Sequence, residues 1–180
     1  MMDKIKDIAF KEDARNRLKR GIDILTEAVI TTLGPGGKNV IIEDEYGIPH
    51  STKDGVTVAR SITLKDKVEN CGAQAIKQAA SNTAEIAGDG TTTSALLARE
   101  IITEGMKVLS TGANLNDVKM GMEKATQDII SHLKSESMQI TDIKETEAIA
   151  TISANNDTKI GKLVSNAFDE VGLDGVVTVS

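Results

Sequence analysis

Six consecutive residues, Gly88-Asp89-Gly90-Thr91-Thr92-Thr93, carry the clearest capacity for chemistry in this chain, and the helical run Ser94–Ile102 follows them directly. The first turn of a helix offers unpaired N–H groups and a partial positive charge. Glycines let a phosphate approach the backbone, and threonine hydroxyls add donors. Asp89 breaks this pattern, because a carboxylate beside a phosphate repels it unless a cation lies between them. Magnesium is the usual bridge, held by one or two carboxylates plus phosphate oxygens and waters. The six residues therefore read as a Mg-nucleotide site, or as an ordinary helix start, where Asp, Gly and Thr are all common.

Two further loops hold residues of the same kind: Thr32-Leu33-Gly34-Pro35-Gly36-Gly37 and Thr52-Lys53-Asp54-Gly55. Neither is a Walker loop, which needs four residues between its glycines and Ser or Thr after the lysine. Gly34 and Gly37 are separated by two residues, and Asn39 follows Lys38. Taken singly, the first also reads as a helix stop and the second as a turn.

The elements that position these loops follow from hydrophobic spacing. Phe10, Ala14, Leu18, Ile22, Leu25 and Val29 form a stripe that predicts a helix over 10–31. Gly34 and Pro35 end it. Short β-rich runs at 39–43 and about 50–52, joined by a turn, predict a hairpin. A second helix is expected over 65–87, with Val68, Gly72, Ile76, Ala79 and Thr83 on one side. A third, from Thr91 to about Leu109, carries Leu97, Ile101 and Val108, with Ala95, Ile102 and Met106 widening the face. A fourth, about 116–135, shows Val118, Met122, Ala125, Ile129 and Leu133. A polar stretch from Lys134 marks a boundary. Beyond it come a short helix over 144–150, a helix over 157–171 and a strand over 175–180. The class expected is mainly α (α+β), a helical domain with one β-hairpin and part of a small second domain.

Composition narrows the functions. The 180 residues suffice for one domain or for one plus part of another, and 39% hydrophobic with 27% charged residues describes a soluble globular chain. A net charge of -6 and only three aromatic residues, Phe10, Tyr46 and Phe168, argue against nucleic-acid binding. Cys71 is the lone cysteine and reads as a small core residue of a reducing compartment, while His50 and His132 lack cysteine partners for zinc. No apolar run approaches a membrane span, and the amino terminus has no signal core, so a cytoplasmic location is expected.

In order, the segments Thr32–Pro35, Thr52-Lys-Asp-Gly-Val-Thr-Val-Ala-Arg60, Asn70-Cys-Gly-Ala-Gln74, Ala87–Thr93, Ile101-Ile-Thr-Glu-Gly105 and Thr151-Ile-Ser-Ala-Asn155 closely resemble the bacterial and organellar (group I) chaperonin subunit of GroEL type. The resemblance covers essentially the whole chain and implies a subunit of an ATP-driven protein-folding chaperone. Residues 1–135 would be the amino-terminal half of the equatorial ATP-binding domain, and 136–180 the ascending half of the intermediate hinge domain. Thr32, Leu33, Gly34 and Pro35 would contact nucleotide and phosphates. Lys53 would lie at the phosphates, its carbonyl and that of Thr32 being candidate K+ ligands. Asp89 would bind Mg2+, Gly90, Thr91, Thr92 and Thr93 would cradle the β- and γ-phosphates of ATP, and Asp54 would place the attacking water as the catalytic residue. Ile152 and Ser153 would approach the nucleotide from the hinge. Implied partners are other chaperonin subunits in a heptameric double ring, and a co-chaperonin and unfolded clients wherever an apical domain exists; nucleic acid and membrane are not among them.

Two positions depart from the family pattern. Gly36 replaces a lysine common there, and Ala150 replaces a glycine before Thr-Ile-Ser. The family's apical domain, its returning hinge strand with a second aspartate and its second equatorial half lie outside these 180 residues. Hydrolysis by this stretch alone is therefore not expected. Two functional classes stay open: the ATP-binding part of a chaperonin ATPase, and a truncated, non-enzymatic subunit that docks into and modulates another chaperonin ring.

Overall fold

The structure, a computed structural model, describes residues 6–44, 46–172 and 175–178. The chain forms two compact units, 1–119 and 120–180, and the division falls within helix α5, Leu115–Glu136.

The first unit is built on α1, Lys11–Ile30, and α3, Lys67–Ala87, which pack along each other. Their backbones touch at two glycines. A Cβ at Gly21 would overlap the Glu69 carbonyl, and a Cβ at Gly72 would overlap that of Leu18. Charge reinforces this crossing: Arg17 binds Asp66 at 2.6 Å and Asp7 at 2.8 Å, and Arg20 binds Glu69 at 3.0 Å. The core gathers Ile22, Leu25, Val29, Ala73 and Ile76 with Val58, Ala59 and Ala95 from two further helices. Buried among them, Thr26 has a hydroxyl with no hydrogen-bond partner among the described residues.

Between α1 and α3 lie an antiparallel hairpin, β1 Val40–Glu43 with β2 Pro49–Thr52, and a short helix α2, Gly55–Ser61. Val40 pairs with Thr52 and Glu43 with Pro49. The hairpin is as expected, but α2 was not. Val56, Thr57 and Val58 favour strands, yet Asp54 caps a helix start there and burial of Val58 and Ala59 holds it.

Helix α4, Thr91–Ser110, packs on α3 and α1. Its inward row is Ala95, Ala98 and Ile102, whereas Leu97, Ile101 and Val108 are exposed. Ala95 and Ile102 lie on the expected face, but its three leading residues do not, so its centre falls about one residue away from the larger side chains. Close approach to the small-residue faces of α1 and α3 selects alanine instead. The same displacement corrects Cys71, which is exposed beside buried Gly72 and Ala73 rather than in the core. Phe10 is also exposed, since it is the residue preceding α1. Helix α5 buries none of its residues, so the stripe from Val118 to Leu133 is not part of the core described here.

The second unit pairs α6, Ile143–Ser153, with α7, Thr158–Val171. Gly161 lies against Thr151, whose hydroxyl a Cβ would overlap, and Thr146 and Ser165 are buried. Helix α6 runs three residues past the expected end at 150, taking in Thr151, Ile152 and Ser153. Asn155 and Asn156, with φ of 55° and 66°, then reverse the chain, and Asp157 caps α7. Residues 175–178 form no strand, and the last two residues of the expected strand lie outside the described ones.

Candidate functional site

Three chain reversals of the first unit meet at one place. Helix α1 ends at Ile30, and Thr32 turns its hydroxyl back to the Val29 carbonyl at 2.8 Å. The chain then folds tightly: Lys38 N–H donates to the Thr31 carbonyl at 2.8 Å and Gly37 N–H to that of Gly34 at 3.0 Å. Gly34 has φ of 70°, and the space beside Gly34 and Gly36 is open for 4 Å. Thr32 is buried, whereas Leu33, Gly34 and Pro35 are exposed.

The second reversal is Lys53-Asp54-Gly55. Asp54 accepts from Thr57 N–H at 2.9 Å, from Val56 N–H at 3.3 Å and from the Thr57 hydroxyl. Gly55 is buried against the third reversal. A Cβ there would overlap the Thr92 hydroxyl and touch Val29. Gly55 is thus wedged between the end of α1 and the start of α4, with exposed Asp54 and half-buried Lys53 leading into it.

The third reversal joins α3 to α4 through Gly88, Asp89 and Gly90. Both glycines are left-handed, with φ of 74° and 80°, and Asp89 accepts Gly90 N–H at 2.6 Å. Behind them the Thr83 hydroxyl donates to the Ala79 carbonyl at 3.0 Å and accepts from the Ser94 hydroxyl at 2.9 Å, tying the two helices together. Helix α4 begins with no side-chain cap. Helices α2, α3, α6 and α7 each have an aspartate accepting from their first N–H groups. At α4 the cap position is held by Gly90, which has no side chain, and the space beside Gly88, two residues earlier, is open for 4 Å. Uncapped N–H groups, adjacent threonine hydroxyls and room for a close approach are the requirements of a bound phosphate.

A metal ion fits this arrangement only with help. Among the described residues, no three His, Cys, Asp or Glu side chains converge as an all-protein cage would require. Exposed Asp89 could supply one carboxylate to an ion whose other ligands are phosphate oxygens and water, the usual mode for magnesium.

The structure therefore joins Thr32, Asp54 and Thr92 through Val29 and Gly55, with Lys53, Asp89, Gly90, Thr91 and Thr93 next to them in sequence. Ile152 and Ser153 belong to the second unit, both exposed near the end of α6. Sequence reasoning missed Val29, Gly55 and Thr57 as parts of the junction. The available signal was Asp54 followed three residues later by Thr57, the spacing of a helix cap.

Residues 25–176 match the TCP-1/cpn60 chaperonin family, and the chain belongs to that family. Two crystal forms of the chaperonin gp146 from bacteriophage EL 2 (Pseudomonas aeruginosa), determined in the presence of ATP-BeFx, are similar. They are 28% and 29% identical, each with a TM-score of 0.74, over 92% and 89% of this chain. A group III chaperonin in the open state shares the fold, with a TM-score of 0.73 over 87% of this chain at 24% identity. The chain spans only 29%, 28% and 31% of the lengths of these three proteins.

Proposed function

We propose that this chain is the amino-terminal part of a group I chaperonin subunit and carries the phosphate and magnesium side of its ATP site. The observation that carries the reading is the uncapped start of α4, with Asp89 held between two left-handed glycines where Asp54-Gly55 packs on Thr92. The N–H groups and hydroxyls of Thr91, Thr92 and Thr93 would hold the β- and γ-phosphates, with the Gly34 loop and Lys53 alongside. Asp89 would hold Mg2+, which would neutralise phosphate charge. Asp54 would orient the attacking water, and the carbonyls of Thr32 and Lys53 would take K+. The gp146 structures, determined with ATP-BeFx, support a nucleotide at this fold.

In this reading residues 1–135 are the equatorial half-domain, and 136–180 are the ascending hinge segment that brings Ile152 and Ser153 to the nucleotide. The subunit would assemble with copies of itself into heptameric rings in the cytoplasm, with a co-chaperonin and unfolded proteins engaged through an apical domain. No helix among the described residues is long and apolar enough to cross a membrane.

Titration calorimetry tests the site. Asp89→Ala should weaken Mg-ATP binding at least about tenfold and change ATP binding in EDTA by less than about twofold, the signature of a lost metal ligand. Equal losses in both conditions would remove the metal role.

A further inference from the structure

Helix α2 is secured at both ends by polar side chains, and only one end belongs to the proposed site. At its start is Asp54. At its finish Lys77, from α3, donates through Nζ to the Arg60 carbonyl at 3.0 Å. That carbonyl is one of the last four of the helix, which have no partner within it, and a cation there also complements the helix dipole. Lys77 reaches it at some cost, for burial lowers the ammonium pKa below its ordinary value. Along its length α2 is pressed into the core by Val58 and Ala59, both fully buried. Seven residues make a rod about 10 Å long. A rod that short transmits a displacement of one end to the other, since no interior turn is free to absorb it.

We propose that Lys77 is a positioning residue for Asp54: by clamping the far end of α2 to α3, it fixes the depth at which the Asp54-Gly55 reversal sits against Thr92. The inference rests on the nucleotide-site reading above and adds to it a residue that touches neither nucleotide nor metal. Gly55 is why the depth matters. Gly55 is buried between Val29 and Thr92 with no room for a Cβ, so the backbone of α2 itself sets the spacing there. Among the bonds described, the Asp54 carboxylate accepts only from α2 itself and so travels with the helix, while the Asp54 N–H donates to Thr52 Oγ1 of β2 at 3.1 Å and gives this end a restraint outside the helix.

Three variants of the assembled protein test this. Lys77→Met should raise amide exchange at Val56 and Thr57 about tenfold, with Ile76 and Ala80 of α3 unchanged, because only α2 has lost a restraint. It should lower ATP turnover at least about threefold while Mg-ATP affinity stays within about twofold. Lys77→Arg, which can still reach the carbonyl, should restore both. Faster exchange confined to Arg60 and Ser61, unchanged turnover, or no rescue by arginine would each overturn the proposal. So would a Lys77→Met chain that fails to fold, because a clamp on α2 alone leaves the α1–α3 core intact. Asp54→Asn separates the two levels. If it turns over ATP normally, the site reading fails and this inference with it. If Asp54→Asn is slow and Lys77→Met is not, only the positioning role is lost.

Discussion

Two Asp-Gly dipeptides open helices in this protein, and they do opposite things. At Asp54-Gly55 the aspartate is the cap, the glycine is the first helical residue, and the donors of the first turn are taken by the carboxylate. At Asp89-Gly90 the register is shifted by one. The glycine occupies the cap position in a left-handed conformation and brings no side chain of its own to the first turn of α4. Whether a carboxylate or a bare glycine stands at the cap of a helix is thus decided by one residue of register and the sign of one φ, with the same two residue types.

The largest effect expected from testing this comparison is at the glycines. Gly55→Ala should cost about 2–3 kcal/mol in urea unfolding, because its Cβ overlaps Thr92 in a packed junction. Gly90→Ala should cost only about 1 kcal/mol, the penalty of a left-handed alanine, since its nearest neighbour is Thr83 Cγ2 at 4.0 Å. Equal costs would mean that the two starts do not differ in packing. Next comes the exchange of roles between the aspartates. Asp54→Ala should lose about 1 kcal/mol of stability and Asp54→Asn much less, because asparagine also caps. Asp89→Ala should change the melting temperature little while abolishing most of the magnesium dependence of ATP binding. A large melting shift at Asp89 would place it among the structural caps.

The smallest effect concerns a third aspartate. Asp66 caps α3 and pairs with Arg17, and the Glu69 N–H, followed by Arg17, holds its pKa below the ordinary carboxylate value. Its contribution is present above about pH 4 and is lost as pH falls through the depressed folded value. Acid titration of stability should therefore be shallower in Asp66→Asn than in the parent. An identical slope would show that the cap and pair contribute nothing.

Much of this was legible in the sequence, and the failures share a cause. The α1 stripe, the hairpin and the helix after Gly90 were readable because period and punctuation agree there. The three loops were legible as candidate chemistry from composition alone, but their convergence on Gly55 was not, since a glycine's neighbours across the fold leave no local trace. Faces are misplaced where small residues carry the packing, as at Ala98 against Leu97 and Ile101. Hydrophobicity ranks leucine above alanine, but close helix approach reverses that order. Helix α2 was hidden because Val56, Thr57 and Val58 carry the wrong local preference and are overruled by a cap and by burial.

The crossing of α1 and α3 has a consequence for which substitutions the chain can accept. Gly21 and Gly72 each occupy a place where the other helix presents a carbonyl, so neither alanine nor any larger residue fits at either site. Nor can a change at one be compensated at the other, because each obstacle is backbone rather than side chain. In a saturation library selected for folding, these two positions should retain glycine alone, while Cys71, one step around the same helix, should accept most residues.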